Sequence, residues 1–397
     1  MINLNKHPLA KYPLFSSLYF SQGIIYALAT VIINVYLDNQ GVPDTIIGLI
    51  IAIVYIPWVV KFFFGGIVDH FIKIGRRKFI IFGGCLSVIS FFILSFIDPN
   101  TSIVLFTLIL LIASSGIAFL DVSADAWAIE ITDEKERGKI NGVMFAGLFL
   151  GMAVTSIVIG SIAENYGYPF SFIITALIVL VIIAFPIFVE DTVIPKRKEK
   201  MKKLLITEFK KPNTQLITIF LPISAISFGL LAVVVPQYMN DVLMLSVGQI
   251  GLLMAVGPLA TVFGNIVGGF LADHWGRKES LYLTLSLNLF FAAALVFADT
   301  WQKLAIIWLI VGFLHGGHYS AFGALSMDVT NPKVGASQYS IMMGIGNAGE
   351  MTGTFSSGIL ISSLGFSRVF LYSGIVYGPA LLILRFIKST IKNGKKK

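Results

Sequence analysis

Gly65-Gly66-Ile67-Val68-Asp69-His70-Phe71-Ile72-Lys73-Ile74-Gly75-Arg76-Arg77-Lys78 and Gly269-Phe270-Leu271-Ala272-Asp273-His274-Trp275-Gly276-Arg277-Lys278 are two copies of one phrase, about 204 residues apart in a chain of 397. In each, an apolar run ends in Gly-x-x-x-Asp, a basic Gly-Arg cluster follows, and a second apolar run begins. A chain that repeats itself at half its length is expected to consist of two similar halves.

Composition says what the halves are made of. Hydrophobic residues make up 56 % of the chain and charged residues 13 %, where soluble domains carry about 25 % charged residues. Mean hydropathy is +0.86. One cysteine, Cys85, excludes an intrachain disulfide and a cysteine metal cluster. A helix crosses the hydrocarbon core with roughly 20 apolar residues. Twelve stretches qualify, at about 14–37, 45–68, 79–97, 103–130, 138–163, 169–189, 214–239, 248–272, 279–298, 303–329, 335–362 and 366–387. The expectation is an all-α membrane protein with twelve transmembrane helices in two pseudo-symmetric six-helix bundles. The halves are residues 1–189 and 214–397, joined by a basic linker over 190–213. That linker reads either as a solvated connection or, in part, as a basic amphipathic surface helix. The polar start before span one lacks a small-residue cleavage site, so the first apolar run reads as a span, not a signal peptide.

Lys and Arg give the orientation. Alternate loops on the N-terminal side collect Lys6, Lys11, the 73–78 cluster, Lys135, Arg137, Lys139, the linker, Arg277, Lys278, Lys333 and the Lys-rich tail; the other side has Lys303 and Arg368. Both termini are therefore expected in the cytoplasm, in the cell (inner or plasma) membrane. The net charge of +8 is an orientation signal, and no nucleic-acid partner is expected.

Asp69 and Asp273 fall where spans two and eight leave the membrane. Gly65 and Gly269 share their helical faces and permit close approach of a neighbouring helix. An Asp at such a place accepts hydrogen bonds from a helix N-terminus or pairs with the Arg of its own loop. Two readings stay open. Gly packs, Asp caps and Arg-Lys orients the chain; or Asp69, Arg76, Arg77, Asp273 and Arg277 form a latch that opens and closes. Glu130 with Arg137, and Asp328 at the matching interface, read as gate or orientation pairs.

The repeated phrase resembles the loop 2–3 motif of the major facilitator superfamily, and the resemblance covers essentially the whole chain. It implies two six-helix bundles rocking about a central cavity and a cytoplasmic gate built from this motif. The first copy departs from the pattern by three extra residues between Asp69 and Gly75, and by His70. Further stretches, Tyr19-Phe20-Ser21-Gln22-Gly23, Ile56-Pro57-Trp58-Val59-Val60-Lys61-Phe62, Asp121-Val122-Ser123-Ala124-Asp125-Ala126 and Ala336-Ser337-Gln338-Tyr339, resemble the muropeptide-permease (AmpG-type) and acetyl-CoA-transporter branch. That narrower resemblance implies an amino-sugar muropeptide, acetyl-CoA or a pterin as cargo.

Ionisable groups inside spans are site candidates, because a charge there costs roughly 2.5–3.5 kcal/mol even on insertion scales. Lys61 lies in span two. Asp121 and Asp125, four apart, share a face of span four. His315, His318 and Tyr319 lie on span ten and Glu350 on span eleven. Gln22, Tyr26 and Asn34 on span one, with Ser224, Ser227 and Gln237 on span seven, are candidate cavity-wall groups. Each has a structural alternative: Asp125 with Lys61 as an ion pair, the histidines as core residues. Burial favours the neutral form of a carboxyl group, so carboxylates in spans suggest proton-coupled symport of a small polar solute by alternating access. An uncoupled facilitator or exchanger, and a receptor that binds without translocating, remain as alternatives. No nucleophile–base pattern, metal-ligand set or cofactor motif stands out. The expectation is a monomeric non-enzyme with a small-molecule substrate, protons and the lipid bilayer as its partners.

Overall fold

The computed structural model describes residues 1–4, 7–71, 74–131, 137–191, 201–331, 334–388, 391–392 and 395–396. It is nearly all helix. The long helices are α1 (Pro8–Asn39), α2 (Asp44–Val68), α3 (Arg76–Leu94), α4 (Ile103–Ile131), α5 (Arg137–Tyr166), α6 (Tyr168–Phe188), α7 (Pro212–Asp241), α8 (Val247–His274), α9 (Arg277–Phe297), α10 (Trp301–Asp328), α11 (Gly335–Leu364) and α12 (Phe366–Phe386). The described strand residues are a bridge between Ile2 and Val189 and a two-residue ladder near the C-terminus. Within the linker, Met201–Phe209 is helical, and residues 192–200 lie outside the described residues.

Eleven of the twelve are long and apolar enough, by length and composition, to cross a membrane. The one that falls short is α11, a continuous helix of 30 residues. Its composition explains the difference: Gly, Ser and Thr recur along it, with Asn347 and Glu350 near its centre. Small residues lower hydropathy, and they allow close packing. Gly349 lies against the Pro222 carbonyl of α7 and Gly353 against the Ile226 carbonyl, while Gly229 of α7 lies against the Glu350 carbonyl.

The first half repeats this seam. Gly147 of α5 meets Ser16, Gly151 meets the Phe20 carbonyl, and Gly23 of α1 meets the Leu148 carbonyl. α1 thus packs on α5 as α7 packs on α11. The repeat read in the loops also exists in the helix seams, and Glu350 occupies the place held by Leu148.

Backbone contacts divide the chain into two compact units. The first comprises Met1–Val42, Ile53–Lys198 and Leu245–Ala255; the second comprises Pro43–Ala52, Glu199–Met244 and Val256–Lys397. Two short segments therefore group apart from the helices that continue them. Glycine is the reason. Gly251, at the start of α8, lies against the Ser156 carbonyl of α5 in the first unit; in the second, Gly48 at the start of α2 lies 3.1 Å from Ser357 Oγ of α11, measured from the Cβ it lacks.

Several helices depart from regular geometry, and two of the departures, in α1 and α2, lie near charged or polar groups of the first half. α1 widens into a π-turn over Leu28–Ile33. Around it Thr30 Oγ1 donates to the Tyr26 carbonyl at 2.8 Å and Asn34 Nδ2 to the Thr30 carbonyl at 3.0 Å, supplying partners that the bilayer cannot. α2 breaks at Val60 (φ −97°, ψ 13°), three residues after Pro57. Proline lacks the N–H that a regular helix needs. The break places Lys61 at the head of the second piece.

Gly229→Ala drives a methyl group into the Glu350 carbonyl, and Gly23→Ala drives one into that of Leu148. Each is expected to cost about 1–3 kcal/mol by overpacking, read as a lower thermal unfolding midpoint in detergent. The solvent-exposed control Gly41 has nothing within 4 Å but a φ of 74°, so Gly142→Ala, in open space within α5, is the neutral comparison.

Glu208 ties the linker helix to the second unit. Its Oε2 lies 2.5 Å from Lys211 Nζ, and its Oε1 accepts from Asn331 Nδ2 at 2.7 Å. These bonds, Lys211 first, hold the carboxyl below its ordinary value. The stabilisation is present above the unfolded carboxylate range and is lost as pH falls through the depressed folded value. Glu208→Gln is expected to lower the unfolding midpoint at neutral pH, and the difference from wild type to close on acidification.

Candidate functional site

Three helices converge on one ammonium group. α4 presents Asp121 and Asp125 one turn apart, the break in α2 presents Lys61, and α1 presents Tyr19 and Gln22 three residues apart. Lys61 Nζ lies 3.6 Å from Asp121 Oδ2 and 4.0 Å from Asp125 Oδ2. Gln22 Nε2 donates to Asp121 Oδ1, and the Tyr19 hydroxyl donates to Asp125 Oδ1. All four carboxylate oxygens therefore have a donor or cation beside them. The two acids differ in access: the Asp121 side chain is 2 % exposed and that of Asp125 28 %. Tyr26 lies beyond, against Tyr55 and Trp58 at ring-centroid distances of 5.2 and 5.3 Å.

Tyr19 is the member of this cluster that its charge does not reveal in the sequence. A tyrosine in an apolar helix reads as packing, and its spacing to Gln22 acquires meaning only when α1 is known to face α4. Asn34 is buried, bonded to its own helix.

The second half holds a different chemistry at the corresponding seam. Counting from the matched glycines, Phe228 takes the place of Gln22. Its ring stacks on His315, with centroids 3.9 Å apart and planes 1° apart. His318 is 4 % exposed, and its Nε2 has no hydrogen-bond partner among the described residues. Tyr319 and Phe322 complete an aromatic group around the two histidines. Among the described residues the Glu350 carboxylate makes no ion pair and no hydrogen bond. Ser224 and Gln237 are buried in α7, Ser224 bonding to Leu221 and Gln237 reaching Asp44 at 3.3 Å. Ser227 is also buried there, and its hydroxyl lies beside the Tyr377 hydroxyl of α12. No group of three or more His, Cys, Asp or Glu able to hold a metal occurs among the described residues.

The repeated phrase builds a bracket inside each half. Gly75 (φ 92°) and Gly276 (φ 121°) each precede a helix, in the left-handed region where a side chain is disfavoured. The first basic residue after the glycine takes the acid at the end of the fourth helix of its half. Arg76 Nη2 lies 2.6 Å from Glu130 Oε1, and Arg277 Nε lies 3.5 Å from Asp328 Oδ2. The second basic residue holds the end of the sixth helix. Arg77 donates to the Val189 carbonyl at 2.8 Å, and Lys278 to the carbonyls of Arg385 and Ile387 at 2.8 and 2.9 Å. Asp273 pairs with Arg277 of its own loop at 2.7 Å.

Glu130 pairs with Arg76, which the sequence reading did not single out for it; Arg137, expected beside Glu130, has its side chain outside the described residues, as do Asp69 and His70. Gly65 lies near Val122 and Gly269 near Ser320. Asp191 accepts from the Arg76 backbone N–H at 3.1 Å and fills the room beside Gly75, as the Glu279 carboxylate does beside Gly276. Asp191 was not legible as a partner, because it is 115 residues away. Ile2 and Asn3 bind the same segment, Ile2 N–H to the Phe188 carbonyl at 2.6 Å and Asn3 Nδ2 to Glu190 at 2.6 Å.

The profile described as Major Facilitator Superfamily matches residues 15–225 and 217–397. A Rickettsia conorii protein named as an AmpG 4 transporter is 24 % identical over 94 % of this chain and 96 % of its own. The anhydromuropeptide permease of Escherichia coli K12 is 22 % identical over 94 % of this chain and 79 % of its own. The cis,cis-muconate transport protein of Acinetobacter baylyi is 22 % identical over 78 % and 79 %.

Removing the cation alone leaves two acids facing each other, Asp121 buried and Asp125 partly so. Lys61→Met is expected to destabilise the protein by about 3–5 kcal/mol. Adding Asp121→Asn to that variant is expected to restore most of the loss, as measured by unfolding midpoints of the purified single and double variants.

Proposed function

This chain belongs to the Major Facilitator Superfamily, and we propose that within it the protein is a proton-coupled symporter for a small anionic organic solute. It is an integral membrane transporter, with a small-molecule substrate and a lipid environment. Residues 1–189 and 214–397 act as its two halves, joined by the linker 190–213, in a monomer of the cell (inner or plasma) membrane with cytoplasmic termini. Lys and Arg in alternate loops support the orientation.

The observation that carries the coupling is the imbalance of charge inside the spans. Lys61 faces two carboxylates, and Glu350 faces no cation among the described residues. Acids in excess of bases in the hydrocarbon region are the groups able to accept a proton on one side and release it on the other. Lys61 favours an anionic cargo. An anhydromuropeptide carries peptide carboxylates and cis,cis-muconate is a dicarboxylate, so the names of the relatives point to the same chemistry. Of the cargoes the branch resemblance suggests, the amino-sugar muropeptide is the preferred one and an acyl-CoA-like anion the second. Within the second unit, His315, His318 and Tyr319 are the candidate cargo contacts, both histidines buried and His315 stacked on Phe228. The repeated brackets, Arg76–Glu130 and Arg277–Asp328, serve as the cytoplasmic gate elements.

One observation favours an uncoupled facilitator: every oxygen of Asp121 and Asp125 is already occupied, as a purely structural ion cluster requires. Uptake of labelled anhydromuropeptide into proteoliposomes separates the two. Symport predicts stimulation by an outside-acid gradient, abolished in Glu350→Gln with counterflow retained. Counterflow with indifference to the gradient in the wild type identifies the facilitator; full coupling in Glu350→Gln removes that residue from the mechanism.

A further inference from the structure

The Lys61 ammonium is shared unequally, and the inequality suggests which partner leaves. Asp121 is sealed at 2 % exposure, with Gln22 on one oxygen and the ammonium at 3.6 Å from the other. Asp125 is 28 % exposed and holds the same ammonium at 4.0 Å. The Asp125 edge is therefore the more exposed one, and the contact there is the longer one.

We propose that Lys61 is the receptor for a carboxylate of the cargo, and that this carboxylate replaces Asp125 at the ammonium while Asp125 takes up a proton. The idea rests on the symport reading above and assigns its chemistry to particular atoms. Lys61 Nζ keeps its three protons and exchanges one anionic neighbour for another. The proton is released by hydronium or a buffer acid in the bulk solution, whose conjugate base stays there, and forms an O–H bond at Asp125 Oδ2; no electron transfer occurs. Tyr19 continues to donate to Asp125 Oδ1, since the carbonyl oxygen of a carboxylic acid remains an acceptor.

Charge balance is the physical reason for the link. The empty cluster holds one cation and two anions, a net charge of one negative. Adding a carboxylate alone would double that charge in a region where charge is costly. Adding a carboxylate and a proton together leaves it unchanged. The groups that face Asp125 are consistent with a local exchange: Tyr19 from α1, Lys61 from α2 and Asp121 from α4 itself. Phe145 of α5 packs on Tyr19 and brings no charge. Glu130, five residues further along α4, is already held by Arg76 from α3.

The test is isothermal titration calorimetry of the purified full chain at neutral pH, in two buffers of different ionisation enthalpy. The probes are cis,cis-muconate and an anhydromuropeptide. The wild type is expected to take up about one proton per anion bound, the linkage signature of one coupled site. Asp125→Asn is expected to bind the probe without that proton, and Asp125→Glu to restore it. Binding with no proton uptake in the wild type, or uptake that survives in Asp125→Asn, overturns the inference and leaves symport resting on Glu350. Failure of both probes to bind overturns the anionic-cargo reading and this inference together.

Discussion

A single ammonium group sits between two carboxylates at the meeting point of α1, α2 and α4, and much of the first half is arranged to permit it. None of the three charges is tolerated alone in hydrocarbon, so each is placed within reach of the others or of a polar side chain. Lys61 reaches both acids because α2 breaks just before it, behind Pro57. Tyr19 and Gln22 reach them because α1 lies close to α5 and α4 on a face of small residues. The cluster is a tie among three helices, and it is unevenly buried, with Asp121 2 % and Asp125 28 % exposed.

Close approach of helices in a bilayer does not come from the hydrophobic effect, since lipid tails are as apolar as leucine. Here it comes from glycine set against backbone carbonyls, three contacts between α1 and α5 and three between α7 and α11. The two seams follow one plan, which is the structural form of the duplication. Their difference is chemical: Glu350 stands where the first half has Leu148, and Phe228 where it has Gln22. The first half gathers one cation and two carboxylates into a single cluster, and the second stacks Phe228 on His315 and leaves Glu350 without a cation among the described residues.

Much of this was legible in the chain itself. The repeated Gly-x-x-x-Asp phrase, the apolar runs and the alternation of basic loops give the helices and their pairing into halves. Lys61, Asp121 and Asp125 announce themselves because charged residues are rare in spans. The partners were harder to read. Tyr19 carries no charge, Asp191 is separated from Arg76 by 115 residues, and Arg76 is separated from Glu130 by 54. Contacts of this kind depend on which helix faces come together, and hydropathy says nothing of that. The polarity of α11 shows the opposite limit: its small residues depress the hydropathy that identifies a span, for the same reason that they let it pack on α7.

The sequence by itself determined the class of molecule, the number and order of its helices, the duplication and the identity of its unusual charges. Each of these follows from local composition, because a bilayer demands apolar length and penalises every ionised group within it. The tertiary structure decided who meets whom. It chose Arg76 for Glu130, brought Tyr19 and Gln22 to the two aspartates, set Asp125 at the open edge and Asp121 in the closed interior, and gave Glu350 no cation among the described residues. Those outcomes depend on helix rotation and on Å-scale approach between segments far apart in the chain, which only the packed fold fixes.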